Sequence, residues 1–408
     1  MRLATVEKVP QTTMNPRVKT DCWPTPEQEL LLRAALLRGP QVIAAWDEWR
    51  SSVHPDRLDA ASYRLLPQLY KNVHAHGIRG PLVDKLKGVY RLTWYKNQIS
   101  FRHMAALLRS LHDLGIDTLV LKGVPLVLLY YRDYGLRPMA DFDVLVRRGQ
   151  ALTAVRFLQG SGWVAADSWP ETLHETYLSV GHGFGFRDAA GRRFDLHWHV
   201  FPECCRPDAD DDLWDGAVTL KIDEVSSYTL NSTDHLLHVC AHGVRWDPLP
   251  PFRWIADALA IINGSTSELD WQRLLAQTEQ RRLLCPLKAA LTYLRDRFDA
   301  PIPAEVLRRL KNMPTSRLER IEYRYKSRNY GAKPFGYLPL HWFNYLRLEP
   351  GAGSKYNLPG FAAYLQRLCG VNSLWRLAAY AISRRARRAW RATLEVAGRW
   401  AQTQAQKR

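Results

Sequence analysis

The stretch Leu121-Lys-Gly-Val-Pro-Leu-Val-Leu-Leu-Tyr-Tyr-Arg-Asp-Tyr-Gly-Leu-Arg137-Pro-Met-Ala-Asp141-Phe-Asp143-Val-Leu-Val146 decides the fold. It begins where Asp117-Thr-Leu-Val-Leu121 closes a short apolar run, read as a buried strand. Lys122-Gly123 breaks that run, and Pro125 opens a helix through Tyr131. Asp141 to Val146 is a second strand. Strand side chains alternate between faces, so Asp141 and Asp143 point one way while Phe142, Val144 and Val146 point into a core. Two carboxylates side by side on one face repel each other. A hard divalent cation relieves that repulsion, and carboxylate oxygens suit Mg²⁺ or Mn²⁺.

Outward from this pair, Gly123 sits at the strand-to-helix turn, where backbone N–H groups can approach a phosphate chain. Lys122 and Arg137 are the cations nearest in sequence that could hold a polyphosphate. They could equally pair with Asp141 or Asp133. A third carboxylate follows in Arg193-Phe-Asp195-Leu-His-Trp-His199, where Phe194, Leu196 and Trp198 share one face and Asp195, His197 and His199 the other. The run Asp208, Asp210, Asp211, Asp212 fits no single helix or strand face and reads as a solvated loop. His235, His238 and His242 fall at helical spacing and read as a packed helix rather than a zinc site. Arg253 and Asp257 are spaced as an i, i+4 ion pair.

Strand, Gly, helix, Asp-x-Asp on a strand and a distal Asp on a neighbouring strand resemble the DNA polymerase beta-type nucleotidyltransferase superfamily. More narrowly, the chain resembles an uncharacterised nucleotidyltransferase family of bacteria. The ordered segments that carry this are Leu121-Lys122-Gly123, Arg137, Asp141-Phe142-Asp143-Val144-Leu145-Val146, Leu196-His197-Trp198, His242-Gly243 and Arg253-Trp254-Ile255-Ala256-Asp257. The resemblance covers roughly residues 25 to 310. It departs from the wider superfamily at Val124, which stands where a phosphate-holding serine follows the glycine, and Asp195 stands where the family often has Glu.

What the resemblance implies is transfer of a nucleoside monophosphate from a nucleoside triphosphate to an acceptor oxygen. Asp141, Asp143 and Asp195 would be the metal-holding catalytic residues, and Lys122, Gly123 and Arg137 the nucleotide-binding ones. Two other readings remain open: a nucleotide-binding regulator with weak turnover, and a membrane-associated scaffold in a polysaccharide or peptide-modification pathway.

The expected fold class is α+β, a small mixed-sheet core between helical regions. The boundaries read as a loose arm over 1–24, helices over 25–115, the α+β core over 116–230, and helices over 231–320. A Gly-, Pro- and Tyr-rich irregular segment over 321–373 and a basic amphipathic helix and tail over 374–408 complete the chain. Across its 408 residues the composition, 46% hydrophobic, is that of an ordinary globular protein rather than a disordered or fibrous one. No apolar run approaches the roughly 20 residues of a spanning helix, and the polar start, Met1 to Arg17, lacks the core of an export signal. Six cysteines without a CxxC pair fit reduced thiols, so the expected location is cytoplasmic.

The net charge of +17 favours anionic partners. Much of the excess lies beyond Arg308, ending in the run Arg384, Arg385, Arg387, Arg388 and Arg391. With Leu374, Trp375, Leu377 and Ile382 nearby, that tail reads either as a helix closing the helical domain or as a peripheral contact with an anionic membrane. No nucleic-acid-binding module is visible elsewhere, so nucleic acid is not an expected partner. On the membrane reading, the full-length protein binds anionic vesicles with about 1 kcal/mol per basic residue near the surface. Deleting the chain after Leu374 then removes most of that binding and leaves the core folded. Vesicle co-sedimentation at low and high salt checks this; absent or salt-insensitive binding by the full-length protein counts against it.

Overall fold

The computed structural model describes residues 22–53, 58–166, 173, 175–247, 252–265, 269–329, 337–348, 357–380 and 382–383. The arginine cluster from Arg384 onward and most of the N-terminal arm lie outside these residues. The chain has an α+β fold with a seven-stranded mixed sheet. Its contacts group it into two compact units. One is drawn from within Met1–Leu145 and Asp211–Leu340, the other from within Val146–Asp210 and His341–Arg408.

The first unit opens with helices that the sequence starts with side-chain caps. Thr25 accepts from the Gln28 amide while the Gln28 side chain accepts from the Thr25 amide, and Pro26 takes the first helical position of Pro26–Leu36. Further helices run over Pro40–Ser52, Ala60–Tyr63 and Leu66–Ala75, and with the first they bury Leu31, Leu32, Trp49 and Leu69. The long helix Pro81–His112 begins where Gly80 at φ 133° followed by Pro81 makes a sharp entry. It stops just short of Gly115, whose φ of 71° suits the expected glycine terminator.

Strand β1, Thr118–Leu121, is buried at every position, and β2, Asp141–Val146, at every position but Asp141. Two further strands, β6 (Val218–Ile222) and β7 (Val225–Thr229), form an antiparallel hairpin closed by Asp223 and Glu224. Asp223 has φ 48°, the left-handed conformation that such a tight turn demands. In this unit the order is β2-β1-β7-β6, with β7 parallel to β1. Thr229 Oγ1 donates to Val120 O at 2.8 Å and Ser227 Oγ to Thr118 O at 2.8 Å, fastening the two. The helices Ser232–Gly243, Trp254–Gly264, Trp271–Gln280 and Leu284–Phe298 then pack on as expected, the first capped by Asn231.

The second unit contains β3 (Val164–Ala165), β4 (Gly183–Arg187) and β5 (Arg193–His197), an antiparallel series in that order. Residues 321–373 read as irregular, yet helices run over Leu338–Leu348 and Leu358–Cys369. Their formers are aromatic rather than aliphatic. Tyr345 and Tyr364 are each 1% exposed, and Trp342 meets Phe361 edge-on at 4.8 Å. Asn357 caps the second helix and Pro359 sits in its first turn. Leu374, Trp375 and Ile382 stay exposed. Among the described residues no helix is long and apolar enough to cross a membrane.

Candidate functional site

The chain leaves β1 through Lys122, whose φ of 52° is a conformation that side chains other than glycine seldom adopt. Its ammonium donates to Asp143 Oδ1. Asp143 is 3% exposed, so a full carboxylate charge there requires such a partner. Asp141, two residues earlier, is exposed at the start of β2. Gly123 is needed for close approach: a Cβ would stand 2.7 Å from both Arg137 Nη1 and Met139 Sδ. The space beside this glycine is thus filled by two side chains.

The segment after Gly123 is not the simple α-helix expected. A short turn, Gly123–Pro125, widens into a π-helix over Leu126–Tyr131, and Arg132 N donates back to Val127 O at 2.8 Å. Tyr131 at its end donates to Asp257 Oδ1 at 2.8 Å. Before β2, Asn97 on the long helix donates to Tyr134 O at 2.7 Å and Arg137 O at 2.9 Å, pinning the loop that presents Arg137.

Arg137 is 5% exposed and forks onto Asp257, with Nε to Oδ1 at 2.9 Å and Nη2 to Oδ2 at 3.0 Å. The expected i, i+4 partner, Arg253, stands 3.9 Å from Asp257 and donates instead to Pro138 O at 2.7 Å. Burial by itself would raise the Asp257 pKa, but Arg137 and Arg253 together with the hydrogen bonds from Arg137 and Tyr131 hold it below the ordinary carboxyl value. Burial followed by the charge of Arg137 pushes the Arg253 guanidinium down to about 9, and Asp257 opposes this.

These side chains meet at a cavity of about 320 Å³, lined by Lys122, Arg137, Asp141, Asp143, Arg253 and Asp257 among others. Four of the sequence-expected site residues, Lys122, Arg137, Asp141 and Asp143, therefore share one cavity. It also takes in His238, His242, Asp247 and, from the N-terminal helices, Arg64. His235, the third member of the helical histidine row, is instead buried against Tyr130 and Thr229, and burial lowers its pKa to about 3.

In the second unit, Asp195 lies on β5 opposite Gly185, half-buried, with Phe194, Leu196 and Trp198 buried on the other face. A Cβ on Gly185 would stand 3.0 Å from Asp195 Oδ1, and one on Gly183 would stand 2.7 Å from His197 Nδ1. The alternating glycines of Gly183-Phe-Gly-Phe186 thus leave room over the polar face of β5. His199 lies past the strand and pairs with Asp210 at 2.7 Å. The expected solvated loop holds for Asp208, which is exposed, whereas Asp211, though exposed, opens the short helix Asp211–Asp215 and Asp210 and Asp212 are held by partners. Asp210 is 5% exposed and accepts from Val200 N, and Asp212 is held by Arg281 and Gln277.

A family model described as an uncharacterised nucleotidyltransferase matches residues 59–299. The chain belongs to that nucleotidyltransferase family. The match spans both Lys122-Gly123 and Asp141-Phe-Asp143, as well as Asp195 and Asp257. A solved structure described as an antigenic nucleotidyltransferase-like protein from Paracoccidioides brasiliensis also matches, at 17% identity, over 53% of this chain and 94% of that one, with a TM-score of 0.36. A comparison with curated proteins finds no match.

Proposed function

We propose that the protein transfers a nucleoside monophosphate from a nucleoside triphosphate to an acceptor oxygen, with Asp141, Asp143 and Asp195 as ligands of divalent metal, Mg²⁺ or Mn²⁺. The observation that carries this reading is the cavity that Asp141 and Asp143 share with Lys122 and Arg137 in a chain of the nucleotidyltransferase family. The residues fit a hard cation on two counts. The donor set is carboxylate oxygen, and Gly185 gives the Asp195 carboxylate a place that a side chain there would crowd.

A bound divalent cation would neutralise the triphosphate's charge and lower the pKa of the acceptor hydroxyl. The residues of the chain do the rest. Asp141 and Asp143, on one strand, fix the triphosphate end of the site. Lys122, on a flexible stem and 28% exposed at its side chain, is paired with Asp143 and would reach a phosphate oxygen only when that carboxylate turned to a bound cation. Gly123 and the Arg137–Asp257 fork form the rigid floor. Asp195 accepts the proton as the acceptor oxygen attacks the α-phosphorus; the new O–P bond forms, the α–β anhydride bond breaks, and pyrophosphate leaves.

Isothermal calorimetry with ATP and GTP, with and without Mg²⁺, tests the reading. Wild type is expected to bind in a Mg²⁺-dependent way, and Asp141→Asn with Asp143→Asn to lose that dependence. Equal affinity in the two proteins with Mg²⁺ present would overturn it.

A further inference from the structure

We infer that Arg64 and Arg253 form the anion site for the phosphate chain, an assignment that rests on the nucleotidyltransferase reading of the same cavity. The cavity's positive or ionisable bases are Arg64, Lys122, Arg137, Arg253, His238 and His242. Most already have partners. Lys122 is on Asp143, Arg137 commits its Nε–Nη2 edge to Asp257, and His242 Nε2 meets Arg245 at 2.5 Å. His238 is 2% exposed and too deep to reach a polyanion entering from solvent.

Arg64 and Arg253 are different. Arg64 is half-buried in the turn between the helices Ala60–Tyr63 and Leu66–Ala75, and among the described residues it enters no ion pair. Arg253 touches a carbonyl and stands 3.9 Å from a carboxylate that Arg137 already holds. The two guanidiniums are near enough for Arg64 to disfavour the charge on Arg253. Two like charges turned into one cavity, both only partly exposed, cost stability until an anion joins them. Phosphate oxygens match the planar fork of each guanidinium and would supply that anion. The cavity's carboxylates are Asp141, Asp143, Asp247 and Asp257, and of these Asp143 and Asp257 are already paired with Lys122 and Arg137. The site therefore offers separate places for a cation, at Asp141 and Asp143, and for the anion that such a cation accompanies.

The test uses inorganic tripolyphosphate without divalent metal, measured by calorimetry on the full chain. Wild type is expected to bind it. Arg64→Gln should weaken that binding at least about tenfold, as loss of a charge-assisted fork does. Arg253→Lys, which keeps the charge and loses the fork, should weaken it as well. Among the described residues Arg64 enters no ion pair, so its variant should melt with wild type even if the variant of Arg253, which holds Pro138 O, does not. Arg50→Gln, which removes an exposed pair with Asp47, is the control and should bind as wild type does. Equal tripolyphosphate affinity in wild type and Arg64→Gln, or no binding by wild type, overturns the assignment. Arginine-dependent tripolyphosphate binding together with no Mg²⁺-dependent nucleotide binding would support the anion site and remove the transferase reading.

Discussion

Asp257→Ala is expected to destabilise the protein by about 3–5 kcal/mol, the usual cost of removing one member of a buried ion pair. Asp257 is 4% exposed and Arg137 5%, so neither charge can turn to water when the other is lost. The substitution would strand the Arg137 guanidinium and leave Tyr131, which donates to the same carboxylate, without its acceptor. Measured against a total stability of order 5–15 kcal/mol, that is a large share. The urea midpoint checks it, read at constant m-value. Replacing both partners by apolar residues of similar volume, Arg137→Met with Asp257→Leu, should recover most of the loss. A change below about 1 kcal/mol for Asp257→Ala would show that the pair is not the brace assigned here. The effect has a pH signature. Asp257 is held below its ordinary value in the fold. Its contribution is therefore fully present above the unfolded carboxyl pKa of about 4, and is lost as pH falls through the lower folded value. The gap between wild type and Asp257→Ala should narrow in acid.

The history of this pair shows what the sequence carries and what it does not. Local spacing pairs Asp257 with Arg253, one helical turn away, but the fold gives the carboxylate to Arg137, 120 positions away in the chain. Periodicity reports neighbours on one element and is silent about which distant element arrives. The same limit hid Arg64, which is unremarkable among N-terminal helices until the turn bearing it reaches the cavity. By contrast, β2 was readable, because alternation over Asp141–Val146 fixes both its core face and its carboxylates. The hairpin of β6 and β7 was missed although its signal is present: Leu220 and Ile222 alternate with exposed residues, and Asp223-Glu224 makes a two-residue turn. The helices after residue 337 escaped because aromatic residues form their buried face and Gly and Pro flank them. Lys122 and Asp143 each stood out as chemistry; only the left-handed turn at Lys122 brings one onto the other.

Asp195→Asn is expected to cut turnover at least about a hundredfold while leaving triphosphate affinity within a few-fold of wild type. The argument is positional. Asp141 and Asp143 share β2 and one cavity, so they suffice for holding the triphosphate end of the site. Asp195 stands on β5, a different strand, its carboxylate lying against Gly185 of β4, which has no side chain to displace it. A carboxylate supplied from there acts on the acceptor hydroxyl, whose charge develops only as the new bond forms. Its contribution is therefore felt in the transition state more than in the bound ground state. Asparagine is nearly isosteric and changes neither the buried Phe194, Leu196 and Trp198 face nor the fit of the side chain over Gly185. A melting temperature near that of wild type should accompany the loss. Calorimetry then gives affinity and single-turnover kinetics give the chemical step, so that binding and catalysis are read separately. Loss of affinity in parallel with turnover would move Asp195 into the triphosphate site. Wild-type turnover would remove it from the mechanism and leave the proton to another base, with His197, two residues along the same face, the first to test.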